Sequence, residues 1–220
     1  MPGGDDWMAK AKAGELKATN EGWKDAARDY KTAAWRYLEH GPPDLDGVRT
    51  AWQRARVVLH KITPDTELEK FAEELLSDGQ LSHTSAGKLL ADGEIEAATE
   101  TFTRAACEAQ LSGEAYAILA QELPQLYEAA GTTGRASLSF IYAAECFEEA
   151  AANDGDSAKE AAEKKAEFAL AGLARRSSVT QSLEGAHYYD VLGDAGLEAS
   201  YLTGATDQTP LIDADEAKAQ

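Results

Sequence analysis

One three-point pattern recurs along this chain: an alanine, an aromatic residue four positions later, and a second alanine three positions beyond that. It appears as Ala26, Tyr30 and Ala33, as Ala98, Phe102 and Ala105, and as Ala136, Phe140 and Ala143, with Ala143, Phe147 and Ala150 extending the last set. On a helix, offsets of 0, 4 and 7 fall within an arc of about 60°. Each set is therefore one aromatic knob flanked by two small residues, a surface that another helix can approach closely. A face of this kind has no stable exposure to water, so the pattern requires neighbouring helices and places Tyr30, Phe102 and Phe140 in a core. No run of alternating β-branched residues is long enough to indicate a sheet, and the predicted fold class is all-α.

Breakers divide the remaining sequence. Helices are predicted over 5–19, 22–39, 45–62, 65–77, 83–91, 94–110, 113–130, 134–152, 156–175, 179–192 and 195–203. Gly41-Pro42-Pro43-Asp44 cannot continue a helix, and Thr63-Pro64-Asp65 supplies a stop and a restart. Ser77-Asp78-Gly79 and Asp92-Gly93 read as further stops, and Asn153-Asp154-Gly155-Asp156 as a C-terminal cap followed by an N-cap. Beyond Gly204 the chain turns to Thr, Asp, Gln, Pro and alternating Ala with acid, and residues 205–220 are expected to form a disordered acidic tail.

The recurring sets resemble the tetratricopeptide family, in which a helix with a small residue precedes a helix carrying alanine, aromatic and alanine. The first copy has Gly14, then Trp23, Ala26, Tyr30 and Ala33. The second has Ala86 and Leu89, then Gly93, Ile95, Ala98, Phe102 and Ala105. The third has Leu123 and Tyr127, Gly131 in a turn, then Ala136, Phe140 and Ala143. Trp52, Leu59, Leu68 and Leu75 form a degenerate unit between the first two. The proline that usually closes each unit is missing, and Pro124 falls inside an expected first helix. The paired alanines of Tyr142-Ala143-Ala144-Glu145-Cys146-Phe147 resemble the soluble NSF attachment protein branch of the superfamily. What the resemblance implies is a right-handed α-solenoid of stacked antiparallel helix pairs over residues 1–204, with units near 7–40, 45–78, 83–110, 113–152 and 156–203, serving protein–protein interaction.

Charge narrows the functional classes. Across 220 residues there are 21 Lys and Arg against 39 Asp and Glu, a net charge of −18, which disfavours general phosphate-backbone binding. The excess is uneven: residues 1–62 carry 11 basic and 9 acidic side chains, leaving 10 and 30 for residues 63–220. Such an acid-rich, lysine-poor composition resembles that of a halophilic archaeal protein. No basic segment followed by an apolar stretch opens the sequence, and a cytoplasmic location without membrane insertion is expected. Cys107 and Cys146 have neither metal-ligand nor redox spacing and read as small core residues.

No Walker loop, dinucleotide fingerprint, nucleophile elbow or paired zinc motif is present. Neither catalytic residues nor a cofactor are expected. The histidines, His40, His60, His83 and His187, are far apart. Glu184 and His187 form a Glu-x-x-His pair continued by Asp190, which leaves a metal-binding helical bundle or enzyme as one alternative, although no second such pair occurs. Ser82-His83 does not by itself define a triad, and the adjacent acids Glu73-Glu74 and Glu148-Glu149 read as solvated surface.

The strongest interaction feature is basic and aromatic. Arg49, Trp52 and Arg56 follow one another at three and four residues, near Arg54 and Lys61, and Lys24, Arg28, Lys31 and Arg36 stud the preceding helix. Arginine and tryptophan dominate binding hot spots, so Arg28, Arg36, Arg49, Trp52 and Arg56 are the candidate contacts for a protein or peptide, an acidic one by charge. Pairing of these arginines within the chain or in a homo-oligomer is the competing expectation, and a DNA-associated regulator using the same basic face is another. The function expected is a non-enzymatic adaptor or assembly factor.

Overall fold

Helical periodicity interrupted by few true breakers gives, among the described residues, eight helices and no strand. The computed structural model describes residues 3–39, 42–155 and 157–220; His40 and two positions assigned to breakers, Gly41 and Asp156, lie outside them. The helices are α1 (Gly4–Glu15), α2 (Asn20–Glu39), α3 (Leu45–Leu59), α4 (Asp65–Ala91), α5 (Ile95–Glu122), α6 (Leu126–Asn153), α7 (Ala158–Leu192) and α8 (Ala195–Lys218). No described helix is long and apolar enough to cross a membrane.

Neighbours in sequence are neighbours in space, with one exception. α1 packs on α2 and α2 on α3; then α4, α5, α6, α7 and α8 each pack on the next. The succession jumps after α3, which contacts α2, α5 and α1. The N-terminal three helices are fastened to the longer array by ion pairs: Lys24 to Glu67 at 2.8 Å, Arg28 to Glu74 at 3.0 Å and Lys31 to the buried Glu108 at 3.0 Å. Arg28 also covers the ring of Phe71. This serial stacking is compatible with a helical repeat.

The alanine–aromatic sets form the core as expected. Tyr30, Phe102, Phe140 and Phe147 are buried together with every flanking alanine, and Trp52, Leu59, Leu68 and Leu75 are buried as well. In the second set, Ala86 and Leu89 of α4 meet Ala98 and Phe102 of α5 across a turn in which Gly93 has φ +82°. That left-handed conformation favours glycine.

Several expected boundaries move, each for a packing reason. Ser77-Asp78-Gly79 does not interrupt α4, because Gly79 serves close approach: a Cβ there would lie 3.3 Å from the Ala105 carbonyl oxygen. Gly113 is likewise inside α5, where a Cβ would stand 2.7 Å from the Phe140 ring. Gly131, expected in a turn, lies within α6. The break between α5 and α6 falls instead at Leu123-Pro124-Gln125, where Leu123 adopts the extended conformation (ψ 126°) that a following proline imposes. Tyr127 therefore opens α6 and is exposed. The helices predicted over 156–175 and 179–192 are one helix, α7.

The C-terminal segment is also corrected. Residues 205–218, expected to be disordered, continue α8 beyond Gly204 and across Pro210. Ala205, Ile212 and Asp215 supply its buried face. Asp215 accepts from Arg175 Nε at 3.0 Å, while Arg175 also reaches Glu148 at 2.7 Å and Gln208 at 2.6 Å. A polar anchor thus compensates for a sparse apolar one. Glu148, read from the sequence as solvated surface, is part of that anchor.

Candidate functional site

α5 and α7 start, and α6 ends, on the same side of the array. α6 stops at Asn153, with Asp154 extended (ψ 140°), and α7 begins behind a capping box. Ser157 is its N-cap, where Asp156 was expected: Ser157 Oγ accepts from the Glu160 amide at 3.3 Å, and Glu160 Oε2 accepts from the Ser157 amide at 3.0 Å. The last turn of α2 reaches the same place. These four chain segments enclose an open cleft of about 520 Å³.

Carboxylates dominate its lining: Glu39 from α2, Glu96 and Glu100 from α5, Asp154 from the α6–α7 connection, and Glu160, Glu163 and Glu167 from α7. Leu38 and Ile95 provide an apolar stretch, and among the described residues of the lining Lys159 is the one basic side chain, its Nζ 3.0 Å from Glu163 Oε1. At the floor, Glu167 is only 4% exposed. Thr103 Oγ1 donates to Glu167 Oε1 at 2.6 Å. Apart from each other, Glu167 Oε2 and the buried Asp154 Oδ2 have no described partner.

Burial governs the ionisation of this cleft. Burial and the neighbouring Asp154 charge hold the Glu167 carboxyl well above the ordinary range. Asp154 is pushed up to about 6, chiefly by burial, and Glu39 up to about 8, by burial and then by Glu100. Glu167 is the proton-bearing member of the facing Asp154–Glu167 pair, with Asp154 accepting from it.

The residues singled out from the sequence are elsewhere. Trp52 is 7% exposed and belongs to the core, so it does not share an open face with Arg49, which is 60% exposed and lies 3.3 Å from Asp46. Arg56 lies 3.6 Å from Glu114 and Arg28 3.0 Å from Glu74. Arg36 lies 3.3 Å from Glu39 and over the Trp35 ring. Each arginine of that set thus faces a carboxylate of its own chain.

The Glu184–His187 pair does not gather a ligand set. Glu184 accepts from Tyr188 at 3.0 Å and from Gln181 at 3.4 Å, and His187 is exposed. Among the described residues no group of three or more His, Cys, Asp or Glu is placed to hold a metal ion. Ser82 donates to Glu108 at 2.8 Å whereas His83 contacts Glu149 at 2.8 Å, so this adjacent pair is divided between two carboxylates. Cys107 and Cys146 are buried free thiols.

The sequence contained an unread indication of the cleft. Glu167, Ala171 and Ala174 have the same 0, 4, 7 spacing as the core sets, with a carboxylate in the place of an apolar residue. Compared with known proteins, the chain matches no protein-family profile, no curated protein and no solved structure.

Proposed function

We propose that this chain is a non-enzymatic interaction module, an adaptor or assembly factor built as a tetratricopeptide-like, right-handed stack of helix pairs, that receives a basic segment of a partner protein in the acidic cleft. One observation carries the reading. Carboxylates from α2, α5 and α7 converge on an open cavity whose described lining holds a single lysine, while the arginines of the N-terminal face already lie against carboxylates of their own chain. Complementarity then favours a positive partner rather than the acidic one expected from sequence. Helical arrays expose extended surfaces suited to such binding.

The test is cross-linking during capture from the native cells at native salt. A partner whose lysines cross-link to residues 95–103 and 153–167, and whose capture falls at least about tenfold with Glu100→Gln plus Glu163→Gln, supports the proposal. Cross-links confined to the α2–α3 face, or undiminished capture by the folded variant, would overturn it.

A further inference from the structure

The same cleft, on the reading that it is the binding site, specifies the chemistry of its occupant. We propose that it binds an alkylammonium group carried on an aliphatic stem, supplied by a partner's lysine side chain or by a free aliphatic amine. Three features of the cleft converge on that class. Its volume of about 520 Å³ is in the range of small-ligand sites. Its floor is the buried Glu167–Asp154 pair, which shares one proton and in which neither Glu167 Oε2 nor Asp154 Oδ2 receives a hydrogen bond from a third described residue. Its walls combine Leu38 and Ile95, against which methylene groups can lie, with carboxylates distributed along the cavity.

Lys159 provides an internal example: it lines the cleft, and its ammonium rests 3.0 Å from Glu163 one turn along α7. A compact divalent ion is a poorer match, because no described group of three ligands converges on one point. Spread carboxylates suit an extended cation better than a spherical one.

Entry of an ammonium group replaces the proton that the pair shares: its N–H groups donate to the two carboxylates, and the proton held by Glu167 leaves to solvent. Asp154, Thr103, Glu163 and the buried Cys107 act on that proton directly, and around them the cleft is lined by Glu39 of α2 with Arg36 beside it, Glu96 and Glu100 of α5, and Lys159 and Glu160 of α7, with Lys164 near Asp154. Most are acidic, so the buried pair holds its proton until a cation arrives. Binding is therefore linked to proton release and tightens as pH rises through the range in which Asp154 and Glu39 ionise, below the titration of the amine itself.

Isothermal titration of the full chain with 1,5-diaminopentane, in two buffers of different protonation enthalpy at about 0.1 M salt, tests this. Expected are saturable binding with net proton release, tighter at about pH 8 than at about pH 6, and no heat from the neutral 1,5-pentanediol. Glu167→Gln, shown by circular dichroism to be folded, weakens binding at least about tenfold and abolishes the proton release. The exposed Glu100→Gln weakens binding while leaving the release in place. A blocked Gly-Lys-Gly peptide separates the sources: binding of the peptide assigns the lysine side chain, and binding of the diamine alone assigns a free amine.

Absence of binding by both amines would overturn the inference, as would binding indifferent to Glu167→Gln. In that case a partner cross-linked to the cleft would still sustain the adaptor reading. Conversely, diamine binding with no protein ever cross-linked there would sustain the amine site and overturn the adaptor.

Discussion

The Phe140 ring sits where a Cβ on Gly113 would come within 2.7 Å of it, so this aromatic is accommodated by the absence of a side chain opposite. Gly113→Ala should destabilise the fold by about 1–3 kcal/mol through overpacking, and Phe140→Ala by about 3–5 kcal/mol through the cavity it leaves. If the two groups compete for one space, Gly113→Ala combined with Phe140→Leu will cost less than the sum of the single changes in urea denaturation. Additive losses would refute that coupling. Ionisation gives a second residue-scale expectation. Glu39, raised to about 8 mainly by burial, holds in the folded state a proton that the unfolded chain releases near its ordinary carboxylate value. Its contribution to stability is complete below the unfolded value and is lost as pH rises through the folded one. Melting temperature should therefore fall between about pH 5 and pH 9, and Glu39→Gln should flatten that decline; an unaltered slope in the variant would disprove the assignment. At this scale the core was legible, since alanine and aromatic spacing directly encodes a buried face. Trp52 was assigned to a binding surface because its arginine neighbours suggested a hot spot, but hydrophobicity alone had already favoured its burial. Glu167 was not recognised, because a carboxylate on a buried face is visible only once the neighbours of that face are known.

At the level of elements, two glycines expected to mark boundaries, Gly79 and Gly131, lie within helices, and a proline expected inside a helix ends one. Glycine has two uses, conformational freedom and close packing, and a single sequence does not distinguish them without the facing helix. The turns that were read correctly combine glycine with local caps: Gly93 at φ +82° follows Asp92, and Gly193 at φ +74° precedes Asp194, whose side chain accepts from the Leu197 amide at 3.1 Å. α8 was missed beyond Gly204 because its apolar content is low; its docking depends instead on Arg175. Replacing Arg175 by Leu leaves Asp215 buried without its cation, a loss of about 3–5 kcal/mol. Limited proteolysis of Arg175→Leu should cut within residues 205–218 at protease levels that leave the parent chain intact. Adding Asp215→Leu should restore resistance, since an apolar pair removes the stranded charge. Equal cleavage of parent and single variant would show that the anchor does not hold the helix.

Across the whole molecule, the −18 net charge is distributed over a surface on which many basic groups are already engaged. Mutual repulsion of the remaining carboxylates weakens the compact state in dilute salt, and screening over a Debye length of about 3 Å at 1 M relieves it. Melting temperature followed by circular dichroism should rise from low to molar KCl; a flat or falling curve would indicate that ion pairing within the chain outweighs repulsion. The acid excess itself was plain from composition, but its concentration around one cleft was not, because Glu39, Glu100, Asp154 and Glu167 belong to segments separated by as many as 128 positions. That separation has a consequence for biogenesis. The first wall of the cleft emerges from the ribosome with α2, but its floor exists only after α7 has been made and has folded against α5. On the proposed binding, the acidic cleft is a completion mark: a ligand that requires both walls would ignore unfinished or partly unfolded chains, and once seated it would clamp the earliest-made helices to the late ones, retarding their separation.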